Sequence, residues 1–288
     1  MEPLTPDMEP LTPDMEPLTP DMEPITSDME PVSFPNAPGG SPLNPEVALA
    51  PYPSDYFLID DPTSPTGKRL NLPDEALFRQ TPGAFFNTQD GFSRMPMIVS
   101  VWPRGVSQES LPSVVEHGES LLDTSTTLLI EQGTLRRIPH LAEIDLTSSD
   151  PLKAALIMRP LVTLEPNTSY TVLIKRGLSD VEGVAYEPNE AFEALKRGEP
   201  TGDEALDRAL PSFERTKATV EGSGLSVDDA LLAWSFHTRS RDSVTGALLK
   251  LQDAANTWPL GEFVITSDEV VGENRQLQGE LDAPLYNG

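Results

Sequence analysis

The 288-residue chain carries 46 acidic and 20 basic side chains, a formal charge of −26, with 30 prolines and no cysteine. That surplus of negative charge excludes binding to nucleic acid or to an anionic membrane by phosphate neutralisation, which takes clustered Lys and Arg. The missing cysteine excludes disulfides and thiolate chemistry, and no apolar run reaches the roughly 18–20 residues of a membrane span.

Residues 1–50 hold 10 of the acids, 12 of the prolines and none of the bases. Residues 1–21 are three identical copies of Met-Glu-Pro-Leu-Thr-Pro-Asp, and two decayed copies follow at 22–28 and 29–35. The seven-residue period does not make a coiled coil, because two prolines per intact copy, such as Pro3 and Pro6, each cost a helix interior roughly 3 kcal/mol. Pro-x-x-Pro spacing and unopposed acids favour extended polyproline II, so 1–48 is expected to be a disordered acidic linker. No positive n-region or apolar h-region is present at Met1, so no signal peptide is visible.

From Pro51 the pattern changes to short runs rich in Val, Ile, Thr and Tyr, separated by Pro, Gly, Asn and Asp. Expected strands are Met97–Trp102, Thr126–Glu131, Ala142–Leu146, Ala154–Leu161, Ser169–Lys175, Ala230–Thr238, Phe263–Ser267 and Gln276–Asp282. In Ser169–Lys175 both alternating sets are mostly apolar, which predicts burial on both faces. Helical signals concentrate at about 188–227. Asn189 caps a short helix ended by Gly198, and Thr201 with Glu204 forms a capping box ahead of Leu206, Leu210 and Phe213. Pro211 is expected to kink or stop that second helix. Ser226 with Asp229 caps a single turn, and Ser243 caps a helix through Leu248, Leu249 and Leu251. The fold class is mainly β, an Ig-like β-sandwich with a helical insert, spanning 49–255 and followed by C-terminal strands at 256–288.

Motifs for chemistry are sparse. No Gly-x-Ser-x-Gly elbow, P-loop or dinucleotide fingerprint occurs. The three histidines, His117, His140 and His237, lie too far apart in sequence to suggest a metal site. Ser235 and His237 share one strand face, as a nucleophile and its base could, but no elbow or neighbouring acid accompanies them, so His237 reads as a surface or hydrogen-bonded residue. His140 reads as a packed or capping residue. Asp60-Asp61 and Asp180-Val181-Glu182-Gly183 read as turns. Both clusters could also offer calcium oxygen ligands, with Asp180 and Glu182 as weak candidates, but neither has the dense alternation of a strong site. Tyr170, Trp234 and Phe236 are core candidates, and Arg159 is expected to pair with an acid at a sheet edge. No catalytic residue and no cofactor is expected.

Leu156-Ile157-Met158-Arg159-Pro160, then Leu164-Glu165-Pro166-Asn167-Thr168-Ser169-Tyr170-Thr171-Val172, then Arg176-Gly177-Leu178-Ser179-Asp180 with Gly183 resemble a bacterial Ig-like pattern. The wider series is Pro51–Tyr56, Asn71-Leu72-Pro73, Asp90-Gly91-Phe92-Ser93, Ile138–Asp145 and Ala233–Thr238. It resembles, over about residues 50–288, the non-catalytic N-terminal region of large exported bacterial lipase-like proteins of the virulence factor lipase type. The resemblance implies a module preceding an α/β-hydrolase domain in the same chain, with Gly279–Pro284 leading toward it. It also implies an extracellular or cell-surface location and a monomer, and it gives the family's catalytic residues no matching positions here. The alternative is a self-standing secreted Ig-like binding or adhesion protein.

Overall fold

A computed structural model describes residues 51–73, 82–201, 207, 210–258 and 263–281. The chain divides into two units, Met1–Pro35 and Asn36–Gly288, and every described residue lies in the second. The expected linker, Glu204 of the expected capping box and the end of the expected lead-in, Asp282 to Pro284, lie outside the described residues.

The described residues are mainly β. Strands β1 (Leu58–Asp60) and β2 (Lys68–Leu70) form a short antiparallel ribbon. Strands β3 (Ile98–Ser100), β5 (His140–Ile144) and β6 (Leu156–Pro160) make one antiparallel sheet in the order β3-β6-β5. Strands β4 (Thr127–Glu131), β7 (Ser169–Lys175) and β8 (Ala230–His237) make another, in the order β4-β7-β8. A second ribbon pairs β9 (Val264–Val271) with β10 (Asn274–Glu280). Among the described residues no sheet closes into a barrel. Each of the eight expected strands overlaps an observed one, whereas β1 and β2 are too short to leave a periodic signal.

The β4-β7-β8 sheet is the centre of the core. Tyr170 to Ile174 are buried without a break, as expected from a strand apolar on both faces. Leu128, Leu129, Ile130, Val172, Leu232 and Phe236 are fully enclosed, each contributing roughly 1.5–3 kcal/mol of apolar burial. Helix α1 (Glu190–Arg197) packs on helix α2 (Leu210–Gly222), and α2 packs on β7 and β8. Phe192 and Phe213 meet edge to face at 5.6 Å and join the same cluster as Ile98 and Met158 of the other sheet.

Local chemistry sets the helix ends. Asn189 Oδ1 accepts from Phe192 N–H at 2.7 Å, and Gly198 closes α1 at φ +69°. The helix expected between Thr201 and Pro211 lies almost wholly outside the described residues. Pro211 is the second residue of α2, where a proline's missing N–H has no intrahelical partner to lose, and α2 runs on to Gly222. Helix α3 (Arg241–Thr257) is capped by Ser240, not Ser243: Ser240 Oγ accepts from Ser243 N–H at 3.0 Å, so Ser243 is the third residue of the first turn. Ser226 Oγ accepts from Asp228 N–H and starts the turn Val227–Asp229. Among the described residues no helix is long and apolar enough to cross a membrane.

Two clamps hold β8, one at its middle and one at its C-terminal end. Trp234 Nε1–H donates to Pro53 O at 2.7 Å, and Tyr52 exchanges backbone hydrogen bonds with Val99, so residues 52–53 tie β8 to β3. At the C-terminal end Phe92 N–H donates to His237 O, and Arg239 N–H donates to Phe92 O. Gly91 is pressed so closely to this end that a Cβ would stand 2.7 Å from the backbone of Thr238 and Arg239.

Candidate functional site

These clamps assemble a polar cleft of about 770 Å³ beside the end of β8. Asp55 opens a single 3-10 turn, Asp55–Phe57, capped by Ser54, whose Oγ accepts from Tyr56 N–H at 3.3 Å. The β1–β2 ribbon brings Lys68, the start of β7 brings Ser169, and α2 contributes Arg215; His237 completes the wall.

Two features of the cleft stand out electrostatically. Asp55 Oδ1 is sealed from solvent and has no hydrogen-bond partner. Burial pushes the Asp55 carboxyl up to about 6, against the pull of Arg215, of Lys68 and of a backbone hydrogen bond at His237. Arg215 and Asp55 do not meet within ion-pair distance, and Lys68 is committed to Asp60 at 2.5 Å.

His237 is held at both ring nitrogens, by Ser169 Oγ at Nδ1 (2.9 Å) and by Asn167 Oδ1 at Nε2 (2.9 Å). Burial keeps its pKa below the usual histidine value, outweighing the field of Asp90 that favours the cation, and Lys68 adds to the lowering. With Asn167 Oδ1 accepting the Nε2 proton, Nδ1 accepts the Ser169 hydroxyl proton. The row serine–histidine–asparagine has the connectivity of a nucleophile, base and orienting group. It lacks electrophilic support. The amides beside Ser169 are committed within the fold: Asn167 N–H donates to Arg239 O and Thr168 N–H to Thr238 Oγ1. Neither can serve as an oxyanion donor, and Ser169 sits in a flat antiparallel ladder directly across from His237 rather than at an elbow.

Ser235 and His237 do not pair. Ser235 turns to α2 and to the residue that follows β4, with Thr216 Oγ1 at 2.5 Å and Gln132 Nε2 donating to it at 2.7 Å. His237 finds its serine on the neighbouring strand. Sequence reading missed Ser169, Asn167, Asp55 and Arg215 as neighbours of His237. The one local signal was Pro166-Asn167, since Asn167 adopts φ +51°, a left-handed backbone that asparagine tolerates better than most residues.

The calcium candidates have another role. Asp180 is buried, its Oδ1 accepts from Glu182 N–H (3.0 Å) and Val184 N–H (2.8 Å), and its Oδ2 accepts from Arg104 Nε. The hydrogen bond from Arg104 leads the effects that hold its pKa below the usual carboxylate value. Asp180 therefore ties a turn, and Glu182 stands exposed beside it. Among the described residues no group of three His, Asp or Glu side chains is placed to hold a metal ion.

Asp61 also ties a turn. Its Oδ1 accepts from Thr63 N–H and Oγ1–H, and Arg69 donates to its Oδ2, which together bring its pKa down to about 2. His140 starts β5, buried, with Thr127 Oγ1 at 2.9 Å and Ile138 O at 3.1 Å, and burial lowers its pKa to about 4. His117 is exposed. Arg159 pairs with Glu143 of the edge strand β5 at 2.6 Å. Tyr170, Trp234 and Phe236 are buried.

Compared with known proteins, the chain matches no protein-family model and no curated protein.

Proposed function

We propose that this chain is a non-catalytic, Ig-like β-module of an exported lipase-like protein, monomeric, carried on the extended acidic linker 1–48 and serving a hydrolase domain. The observation that carries the proposal is the β9–β10 ribbon. Among the described residues it pairs only with itself, and every residue of both strands except Ser267 is exposed, including Val264, Ile265, Val270, Val271 and Leu277. An isolated two-stranded hairpin is marginal in water, and this one exposes apolar side chains on both of its faces, which a covering partner would bury. Helix α3 adds Leu248, Leu249 and Leu251 to the exposed apolar surface.

Further support for the Ig-like reading comes from Tyr170. At the start of β7 its hydroxyl accepts from Glu165 N–H at 2.9 Å, the backward tether of a tyrosine corner in such sandwiches. The committed amides around Ser169 support the non-catalytic reading.

The test begins with the reading frame around this segment, where a Gly-x-Ser-x-Gly hydrolase is expected. Hydrogen exchange of β9 and β10 is then compared with and without that domain. Protection of the ribbon is the expected result. Equal exchange in both samples, or a stop codon with no hydrolase in the frame, favours the self-standing adhesion protein instead. Turnover of a p-nitrophenyl ester by the purified chain, lost in Ser169→Ala, would overturn the non-catalytic reading.

A further inference from the structure

The cleft at the end of β8 holds charges that the fold leaves unmatched. Asp60 and Lys68 pair with each other, which leaves Asp55 and Arg215 facing one cleft without meeting. Among the described residues no carboxylate lies within ion-pair distance of the Arg215 guanidinium, and Arg215 is exposed on α2. Asp55 sits opposite with one carboxyl oxygen sealed and unpartnered. A buried carboxylate is costly unless charge or donors reach it; a backbone hydrogen bond at His237 reaches Asp55, the sealed oxygen receives none, and further compensation can come only from the cleft that Asp55 lines, at its other oxygen. His237 cannot supply it by its ring, because both nitrogens are engaged.

We propose that this cleft binds a small zwitterion, a primary ammonium a few atoms from a carboxylate or phosphate. The ammonium sits toward Asp55 and the anionic group toward Arg215. Such a ligand bridges the split pair without changing the net charge of the site. An ammonium offers three donors to a carboxylate that the fold serves with a backbone hydrogen bond alone, and a guanidinium fork donates to a carboxylate or a phosphate in the same bidentate geometry. The lining is largely polar, with Asn71, Ser169 and Ser212 along the walls, and the volume lies within the roughly 300–1,000 Å³ of small-molecule sites. A neutral or purely anionic ligand leaves Asp55 unmet, and an amine alone leaves Arg215 unmet. The chemistry is common to a free amino acid and to an ethanolamine phosphate headgroup. This inference does not rest on the β9–β10 surface, and it stands or falls separately from the accessory-module reading.

Isothermal titration of the full chain with L-alanine and with glycerophosphoethanolamine, a phosphodiester zwitterion, tests it, with ethylamine and acetate as single-charge controls. Saturable binding of one zwitterion or both, at least tenfold tighter than either control, is the expected result, and the preferred zwitterion distinguishes the amino acid from the headgroup. Asp55→Asn and Arg215→Gln should each weaken that binding by roughly tenfold or more, since each removes a charge-assisted hydrogen bond. Arg215 is exposed, so Arg215→Gln keeps the fold even if Asp55→Asn disturbs it, and a thermal melt of each variant verifies this. Absence of binding by both zwitterions overturns the proposal. So does binding that Arg215→Gln leaves unchanged, or affinity for ethylamine or acetate equal to that for the zwitterions.

Discussion

Strands β8 and β9 are both eight residues long and both rich in apolar side chains, yet they end in opposite environments. Residues 230–236 of β8 are all buried; in β9 only Ser267 escapes full exposure. The difference lies in what each strand is paired with. Strand β8 hydrogen-bonds to β7, which is itself paired with β4, and α2 closes over the sheet. Among the described residues strand β9 has β10 alone. Local sequence makes a strand, and a third layer makes it a core element.

The sharpest way to break this contrast is Trp234→Ala. Removing a buried aromatic from β8, and leaving Pro53 O without its donor, is expected to cost about 3–5 kcal/mol. Urea unfolding measures it, and an unchanged midpoint would remove Trp234 from the core.

Acid reads the same buried region. His140, against Thr127 of β4, has a folded-state pKa of about 4 against 6.5 unfolded. Its contribution is present above 6.5 and is lost as pH falls toward 4, roughly 3 kcal/mol in all. Asp55 runs the other way. Its folded pKa of about 6 exceeds the usual 3.8 of the unfolded chain, so its contribution is complete below 3.8 and lost as pH rises through 6. The two nearly offset in wild type. In Asp55→Asn the offset goes. The variant should gain roughly 2–3 kcal/mol over wild type at pH 7, lose that margin below pH 4, and show the His140 acid loss undiluted. Paired melts at pH 7 and 4.5 follow it. A wild type and a variant with the same pH dependence would contradict the assignment of Asp55 as the compensating group.

The smallest effect belongs to β10. Leu277→Thr, on the exposed ribbon, should move the midpoint of the isolated chain by less than about 0.5 kcal/mol. A loss comparable to that of Trp234→Ala would mean that the ribbon is already part of a buried layer.

The strands were legible because alternation and β-branched runs survive in the string, and Ser169–Lys175 carried even its two-sided burial. What was not legible was register across strands. His237 shows Ser235 two positions away, but its hydrogen-bonding serine is Ser169, placed opposite it by the ladder. A single residue of slip would have put another side chain there. The candidate cleft was invisible for the same reason, since Asp55, Lys68, Arg215 and His237 come from a turn, a ribbon, a helix and a strand end. The cap of α3 was missed by three residues, because Ser240 and Ser243 are the same residue type and only backbone geometry distinguishes the cap from the first turn.

Gly91 carries a message of another kind. The chain passes the end of β8 there with no room for one carbon atom beyond the main chain. The neighbouring residues hold Thr238, which in turn holds the turn that presents Asn167 and Ser169. The instruction at this position is an omission. Every other amino acid adds matter at the point where the path of the chain requires emptiness, so the position cannot drift gradually through similar residues. It offers evolution a single letter, while the side chains lining the cleft remain free to be exchanged for others that suit a different guest.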